Sequence, residues 1–174
     1  MLKTRTLAEL KEVLQNPQAS GPEEVYFMLR GQPNITVLVP GKIGEEFTKT
    51  YGHYHKHGGA ETYQILFGRG LLLLQKKGAD DEELEDICLR EVGARDTIEV
   101  PKGYGHVMIN VGSTFLVTAD NAPTNAETSQ NDYEPIKKLR GFSYYIVDDG
   151  EGGWKAVRNE KYVKVPKLEV SGAN

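Results

Sequence analysis

Residues 51–70 read "YGHYHKHGGAETYQILFGRG". Three histidines, His53, His55 and His57, occupy every second position, and Glu61 follows four residues after the last of them. The whole chain has only 4 histidines. On an extended strand, residues two apart share a face. His53 and His55 therefore point one way and Tyr54 the other. His57 keeps the parity, but "KHGG" puts it in a turn, so it reads as an exposed loop residue. Past the turn, Glu61, Tyr63, Ile65 and Phe67 share one face of the next strand, with Glu61 at its mouth. Much later, "VPKGYGHVMINVG" (100–112) brings His106 to the start of a strand whose one face carries His106, Met108 and Asn110. Three neutral imidazoles and one carboxylate suit a borderline divalent metal, and four protein ligands on a six-coordinate ion leave two positions for substrate oxygens.

The rest of the chain reads as strands in the same way. Short runs of β-branched, aromatic and aliphatic residues ("VYFML", "ITVLV", "ETYQIL", "LLLLQ", "DICLREV", "DTIEV", "HVMINV", "TFLVTAD", "YYIVDD") alternate with turns such as "PGKIGE", "GRG" and "PKGYG". Many short strands with regular turns predict an all-β sandwich or barrel. One helix is predicted over 6–15, where Leu7, Leu10 and Leu14 lie three and four apart. The 174 residues suit one domain. An N-terminal helix and strand segment spans about 1–30, a barrel core about 31–150 and a tail about 151–174. "GADDEELED" (78–86) reads as a solvated hairpin tip. "ADNAPTNAETSQNDYEP" (119–135) is a polar loop long enough to cover a site. The tail from Lys164 reads as loosely held.

Composition narrows the function classes. A net charge of −4 argues against a general nucleic-acid binder. No apolar run reaches membrane-spanning length. The opening "MLKTRTLAELKEVLQ" is amphipathic and lacks the apolar core of a signal peptide. The single Cys88 forms no internal disulfide and reads as a packed strand residue. Together these point to a cytoplasmic protein with no nucleic-acid or membrane partner.

Gly-His-x-His, a downstream Glu, Gly-x-Gly and then Pro-x-Gly-x-x-His-x-x-x-Asn-x-Gly resemble the two motifs of the cupins. "TYGHYHKHGGAETYQILFGRGLLLLQ" (50–75), "VPKGYGHVMINVG", "NDY…GFSYYIV" and "RTLAELKEVL" (5–14) resemble more narrowly the cupin-type glucose-6-phosphate isomerases of archaea and some bacteria, over roughly 4–150. The resemblance implies a single cupin (double-stranded β-helix, or jelly-roll) barrel with a short N-terminal helix. It also implies a homodimer that interconverts glucose 6-phosphate and fructose 6-phosphate. It implies one divalent metal per subunit, Fe²⁺ first, with Mn²⁺, Ni²⁺, Co²⁺ or Zn²⁺ as alternatives. By motif position the ligands are His53, His55, Glu61 and His106. The phosphate residues fall on Thr36, Thr50 and Gly52, and Tyr63 and Tyr133 match tyrosines near the sugar. The chain departs from the pattern at Ala122, where the family has an aromatic. Its 123–133 loop is also longer, with Gln130-Asn131-Asp132-Tyr133 in place of Gly-His-Asp-Tyr.

The chemistry is consistent with these residues. Isomerisation moves a hydrogen between C1 and C2, and a metal can hold both oxygens as Lewis acid and template. Glu61, Tyr63 and His106 are the catalytic candidates, with Glu61 as ligand and, on a cis-enediol route, as proton-transfer base; a metal-assisted hydride shift needs no such base, and both routes stay open. The Thr36 and Thr50 hydroxyls and the Gly52 amide can donate to phosphate, and Lys42 or Lys49 is expected to add charge. An iron-dependent cupin dioxygenase and a non-enzymatic sugar-binding cupin remain alternative readings.

Overall fold

The four leucines at 71–74 follow one another without polar alternation, a pattern that suits a strand covered on both faces. In the computed structural model, which describes residues 2–56, 60–123 and 131–172, each of the four is at most 1% exposed. Burying each side chain stabilises by about 1.5–3 kcal/mol relative to exposure.

In chain order the strands are β1 (Leu2–Thr6), β2 (Glu24–Leu29), β3 (Asn34–Leu38), β4 (Lys42–Ile43), β5 (Glu46–Phe47), β6 (Tyr54–His55), β7 (Glu61–Phe67), β8 (Arg69–Lys77), β9 (Leu84–Gly93), β10 (Thr97–Val100), β11 (Tyr104–Ile109), β12 (Leu116–Asp120), β13 (Asn131–Asp132), β14 (Tyr144–Asp148), β15 (Trp154–Arg158) and β16 (Glu169–Ser171). Two helices, α1 (Leu7–Leu10) and α2 (Glu134–Lys138), complete the elements, with a 3-10 turn at Lys11–Val13. One sheet runs β1-β2-β3-β12-β7-β10, a second β11-β8-β9-β16, a third β15-β14-β5-β4, and β13 pairs with β6. This is the all-β, jelly-roll-like cupin architecture, with its sheets left open. No helix among the described residues is long and apolar enough to cross a membrane.

The N-terminal segment is part of the core. Thr6 caps α1 through a capping box with Glu9, and Leu10, Val13 and Leu14 are buried. The Lys49 ammonium donates to the Val13 carbonyl at 2.7 Å and pairs with Glu46, which in turn accepts from the Gln15 amide at 3.1 Å. Both charges are buried, so the pair ties this segment to the strands beneath it.

Several elements differ from the sequence reading. The helix is shorter than 6–15, because Thr6 starts it and the chain is extended again by Leu14. Strand β1 carries mostly polar, part-exposed side chains at a sheet edge, so no apolar alternation marks it. Helix α2, which no sequence signal marked, starts on the last two residues of the polar loop, Glu134 and Pro135. In the segment assigned to the tail, β15 pairs with β14, and β16 pairs in parallel with β9 while keeping all three side chains exposed. Phe67 leaves the face of Glu61, Tyr63 and Ile65. Val117 pairs with Phe67 and Thr118 with Ile65, so a bulge at Leu66 turns Phe67 outward to 53% exposure. The 78–86 stretch does form the β8–β9 hairpin, and Cys88 sits half-buried in β9.

Candidate functional site

The "GHYH" stretch is pinned by a bridge to β11. The His53 amide donates to the His106 carbonyl at 3.2 Å, and the His106 amide donates back to the His53 carbonyl at 3.0 Å. Tyr54 points away, as the alternation predicts, and accepts from the Gln75 amide at 2.8 Å inside the core. His53 and His55 face the start of β7. The result is a tight cluster: one ligand atom from each of His53, His55, Glu61 and His106 lies within 4.8 Å of all the others. His57, predicted in the turn, lies outside the described residues.

The cluster has the chemistry of a cation site. Nε2 of His55 is 3.1 Å from Nε2 of His106, and Oε2 of Glu61 is 2.6 Å and 3.4 Å from these two nitrogens. With Glu61 ionised, no placement of protons on the two nitrogens satisfies all three contacts: one always sets lone pair against lone pair or N–H against N–H. Oε2 of Glu61, though close to His55, is buried without an aligned hydrogen bond. A divalent cation at the centre removes the conflict. Burial holds the His106 imidazole down at about 4, which keeps it neutral and able to ligate. Burial pushes the Glu61 carboxyl up, but His55, His106 and Asp120 together outweigh it and leave the group below its ordinary value. Burial, then the charges of Glu61 and Asp120, holds the Tyr63 phenol well above its ordinary value, so it stays a donor.

These residues line one cavity of about 840 Å³, and Thr36, Thr50, Gly52, Tyr63 and Tyr133 line it too. Thr50 Oγ1 accepts from the Met108 amide at 3.1 Å, which leaves its O–H free to turn toward the cavity. Gly52 has φ +78°, and a Cβ there would sit 2.4 Å from the Phe142 ring. The position therefore requires glycine. Tyr133 packs edge-on to Tyr51 at 5.4 Å and lies 5.5 Å from the His53 ring. It is held there because Asn131 and Asp132 pair with His55 and Tyr54.

Lys42 and Lys49 do not serve the cavity. Lys42 pairs with Asp148 at the surface, and Lys49 is committed to Glu46 and Val13. Lys3, Arg5, Arg30 and Lys56 line the cavity instead. The sequence reading also missed Asp120. It is buried near Glu61, with Oδ1 accepting from Asn34 at 2.7 Å and from the Ala122 amide at 3.0 Å. Burial and then the Glu61 charge raise its carboxyl to about 6. Its position at the end of "TFLVTAD", opposite Tyr63 across the β12–β7 pairing, was the available signal.

Residues 10–164 match the family profile described as glucose-6-phosphate isomerase (GPI). The chain belongs to the glucose-6-phosphate isomerase family. Among its relatives are proteins named glucose-6-phosphate isomerase. That of Thermococcus gammatolerans is 38% identical over 128 residues, covering 73% of this chain and 62% of that protein. Those of Sinorhizobium medicae and Pyrococcus furiosus are 35% and 34% identical over 130 residues, each covering 74% of this chain and 56% and 63% of the relative. The chain thus spans less than two thirds of the length of the relatives it matches. Among solved structures, the capsular polysaccharide assembling protein CapF from Staphylococcus aureus overlaps at a TM-score of 0.47 with 19% identity, over 75% of this chain and 33% of that one. That overlap is too loose to bear on function.

Proposed function

We propose that this member of the glucose-6-phosphate isomerase family interconverts glucose 6-phosphate and fructose 6-phosphate with a divalent metal held by His53, His55, Glu61 and His106. The observation that carries the reading is the convergence of the His55 and His106 Nε2 atoms on Glu61 Oε2 inside a cavity that also holds Thr36, Thr50 and Gly52. Fe²⁺ is the proposed ion, with Mn²⁺, Ni²⁺, Co²⁺ and Zn²⁺ able to occupy the same ligands. The family resemblance further supports a homodimer, and the composition, with its single cysteine, supports a cytoplasmic protein.

When bound, the metal supplies Lewis acidity to the sugar's carbonyl end. The chain's own residues do the rest. On a cis-enediol route Glu61, a carboxylate under ordinary conditions, takes the proton from the carbon beside the carbonyl and returns it to the former carbonyl carbon, while the hydroxyl proton passes between O1 and O2. Tyr63 keeps its phenolic proton and donates a hydrogen bond to a sugar oxygen. His106, kept neutral by burial, completes the ligand set. Thr36, Thr50 and the Gly52 amide donate to the phosphate, and Tyr133 closes over the sugar beside His53.

The test is a coupled assay. Fructose 6-phosphate is supplied to the purified protein and glucose 6-phosphate is read through its dehydrogenase, before and after EDTA and with Fe²⁺ or Mn²⁺ restored. Turnover lost with EDTA and regained with metal is expected. Absence of turnover with every metal refutes the reading, and oxygen uptake would point to a dioxygenase.

A further inference from the structure

The cavity carries more positive charge than neutral phosphate donors explain, and two of its cationic side chains, Lys3 and Arg5, come from the edge strand β1. Lys3 and Arg5 are two residues apart, so both side chains leave the same face of the sheet. Across the antiparallel pairing Lys3 stands opposite Met28, which stands opposite Thr36; Arg5 stands opposite Tyr26. Tyr26 Oη accepts from the Tyr51 amide at 3.3 Å, and that amide lies between Thr50 and Gly52. The Arg5 guanidinium lies 6.0 Å from the centroids of both the Tyr51 and the Tyr133 rings. The face of β1 is thus one side chain away from all three phosphate candidates.

Arg5 is also held in place. Glu9 Oε1 accepts from Arg5 Nη1 at 2.8 Å, while Glu9 Oε2 accepts from the Thr6 amide at 2.8 Å. Both oxygens of Glu9, the one carboxylate among the described residues on this side of the cavity, are therefore engaged, and the guanidinium is oriented before any ligand arrives. A phosphate monoester carries close to two negative charges at neutral pH, and the planar guanidinium is the side chain best matched to it.

We propose that Arg5, backed by Lys3 on the same face of β1, is the counter-charge for the phosphate group and the residue that selects phosphorylated over neutral sugars. This rests on the isomerase reading above, and two separate measurements keep the two apart. In the coupled assay, Arg5→Gln raises KM for fructose 6-phosphate by about tenfold or more, with the smaller part of the loss in kcat. By calorimetry on metal-stripped protein, the same variant weakens binding of inorganic phosphate by a similar factor, while metal content and melting temperature match the wild type. Arg5→Lys recovers part of both losses. Should Arg5→Gln fold poorly, Lys3→Gln, at an exposed position, carries the test with a smaller rise in KM. Unchanged KM and phosphate affinity in both variants overturn the proposal even where the wild type turns over. A wild type that binds phosphate through Arg5 but shows no turnover supports the anion site and overturns the isomerase reading.

Discussion

Gly52 offers a test in which stability and function separate by design. Its φ of +78° lies in the left-handed region, and a Cβ built there would be 2.4 Å from the Phe142 ring and 3.1 Å from the His106 carbonyl. In Gly52→Ala the backbone term costs roughly 1–2 kcal/mol, and forcing a methyl against a packed ring and a backbone oxygen adds about 1–3 kcal/mol. For a domain of this size each kcal/mol lowers Tm by about 2–4 °C, so the melting temperature falls by roughly 4–20 °C. Gly150→Ala is the matched control. It has φ +83° but nothing within 4 Å of its Cβ, so only the backbone term applies and Tm drops by about 2–8 °C. Function separates the two further. Gly52 sits between Tyr51 and His53, and any shift there moves the Thr50 hydroxyl and the His53 ligand together. Gly150 lies in the β14–β15 turn and does not line the cavity. Thermal melts followed by coupled assays below both transitions give the answer. If Gly52→Ala melts and turns over like Gly150→Ala, the close approach to Phe142 and the coupling of the 50–53 segment to the site are both wrong.

His55→Ala removes the nitrogen that approaches both His106 and Glu61, so bound metal, measured by elemental analysis, and isomerase activity are expected to fall together; a variant that keeps full metal content shows the ligand set is wrong. Thr50→Val keeps the side-chain shape but removes the hydroxyl, so KM for the phosphorylated sugar rises, by roughly tenfold to a hundredfold for one hydrogen bond to a charged group. Because that hydroxyl also accepts from the Met108 amide, a modest loss of Tm accompanies it; an unchanged KM removes the phosphate role.

The metal ligands were legible because strand alternation is a strict rule. His53 and His55 share a face, Glu61 opens the next strand, and the His53–His106 bridge then brings His106, 51 residues beyond His55, to the same point. Alternation failed where the ladder itself is irregular, and the bulge at Leu66 that exposes Phe67 leaves no mark in composition. The cationic side of the cavity was invisible for a different reason. "LKTRT" is polar and lies at a sheet edge, so neither apolar period nor turn signal distinguishes it from a frayed terminus. Its place is fixed by contacts made elsewhere, through the capping box at Thr6 and the buried Lys49–Glu46 pair. That same pair misled the search for charge, since a lysine beside the "TYGHYH" motif reads as a phosphate ligand until its buried partner is seen.

A net charge of −4 does not conflict with an anionic substrate, because the acids are spent elsewhere. Glu46 pairs with Lys49, Asp148 with Lys42, Asp81 and Glu82 with Lys138, and Glu12 with Lys137. Glu12 also accepts from Tyr51 Oη at 2.9 Å, which fixes the tyrosine that Arg5 overlies. The acids that do line the cavity are Glu61 and Asp120 near the metal ligands and Glu9 beside Arg5. Glu61 and Asp120 favour a cation among the ligand nitrogens, with Arg30 and Lys56 also on the lining, whereas Glu9 is held by Arg5 and Thr6, and Lys3 and Arg5 are left to favour an anion beneath β1. Global charge sets solubility and long-range steering; the order of signs along one cavity sets which end of a substrate lies where. On the proposed reading, a ligand with a neutral, oxygen-rich end and a phosphate end lies with its carbonyl at Glu61 and its phosphate beneath β1, where Arg5 is already oriented by Glu9.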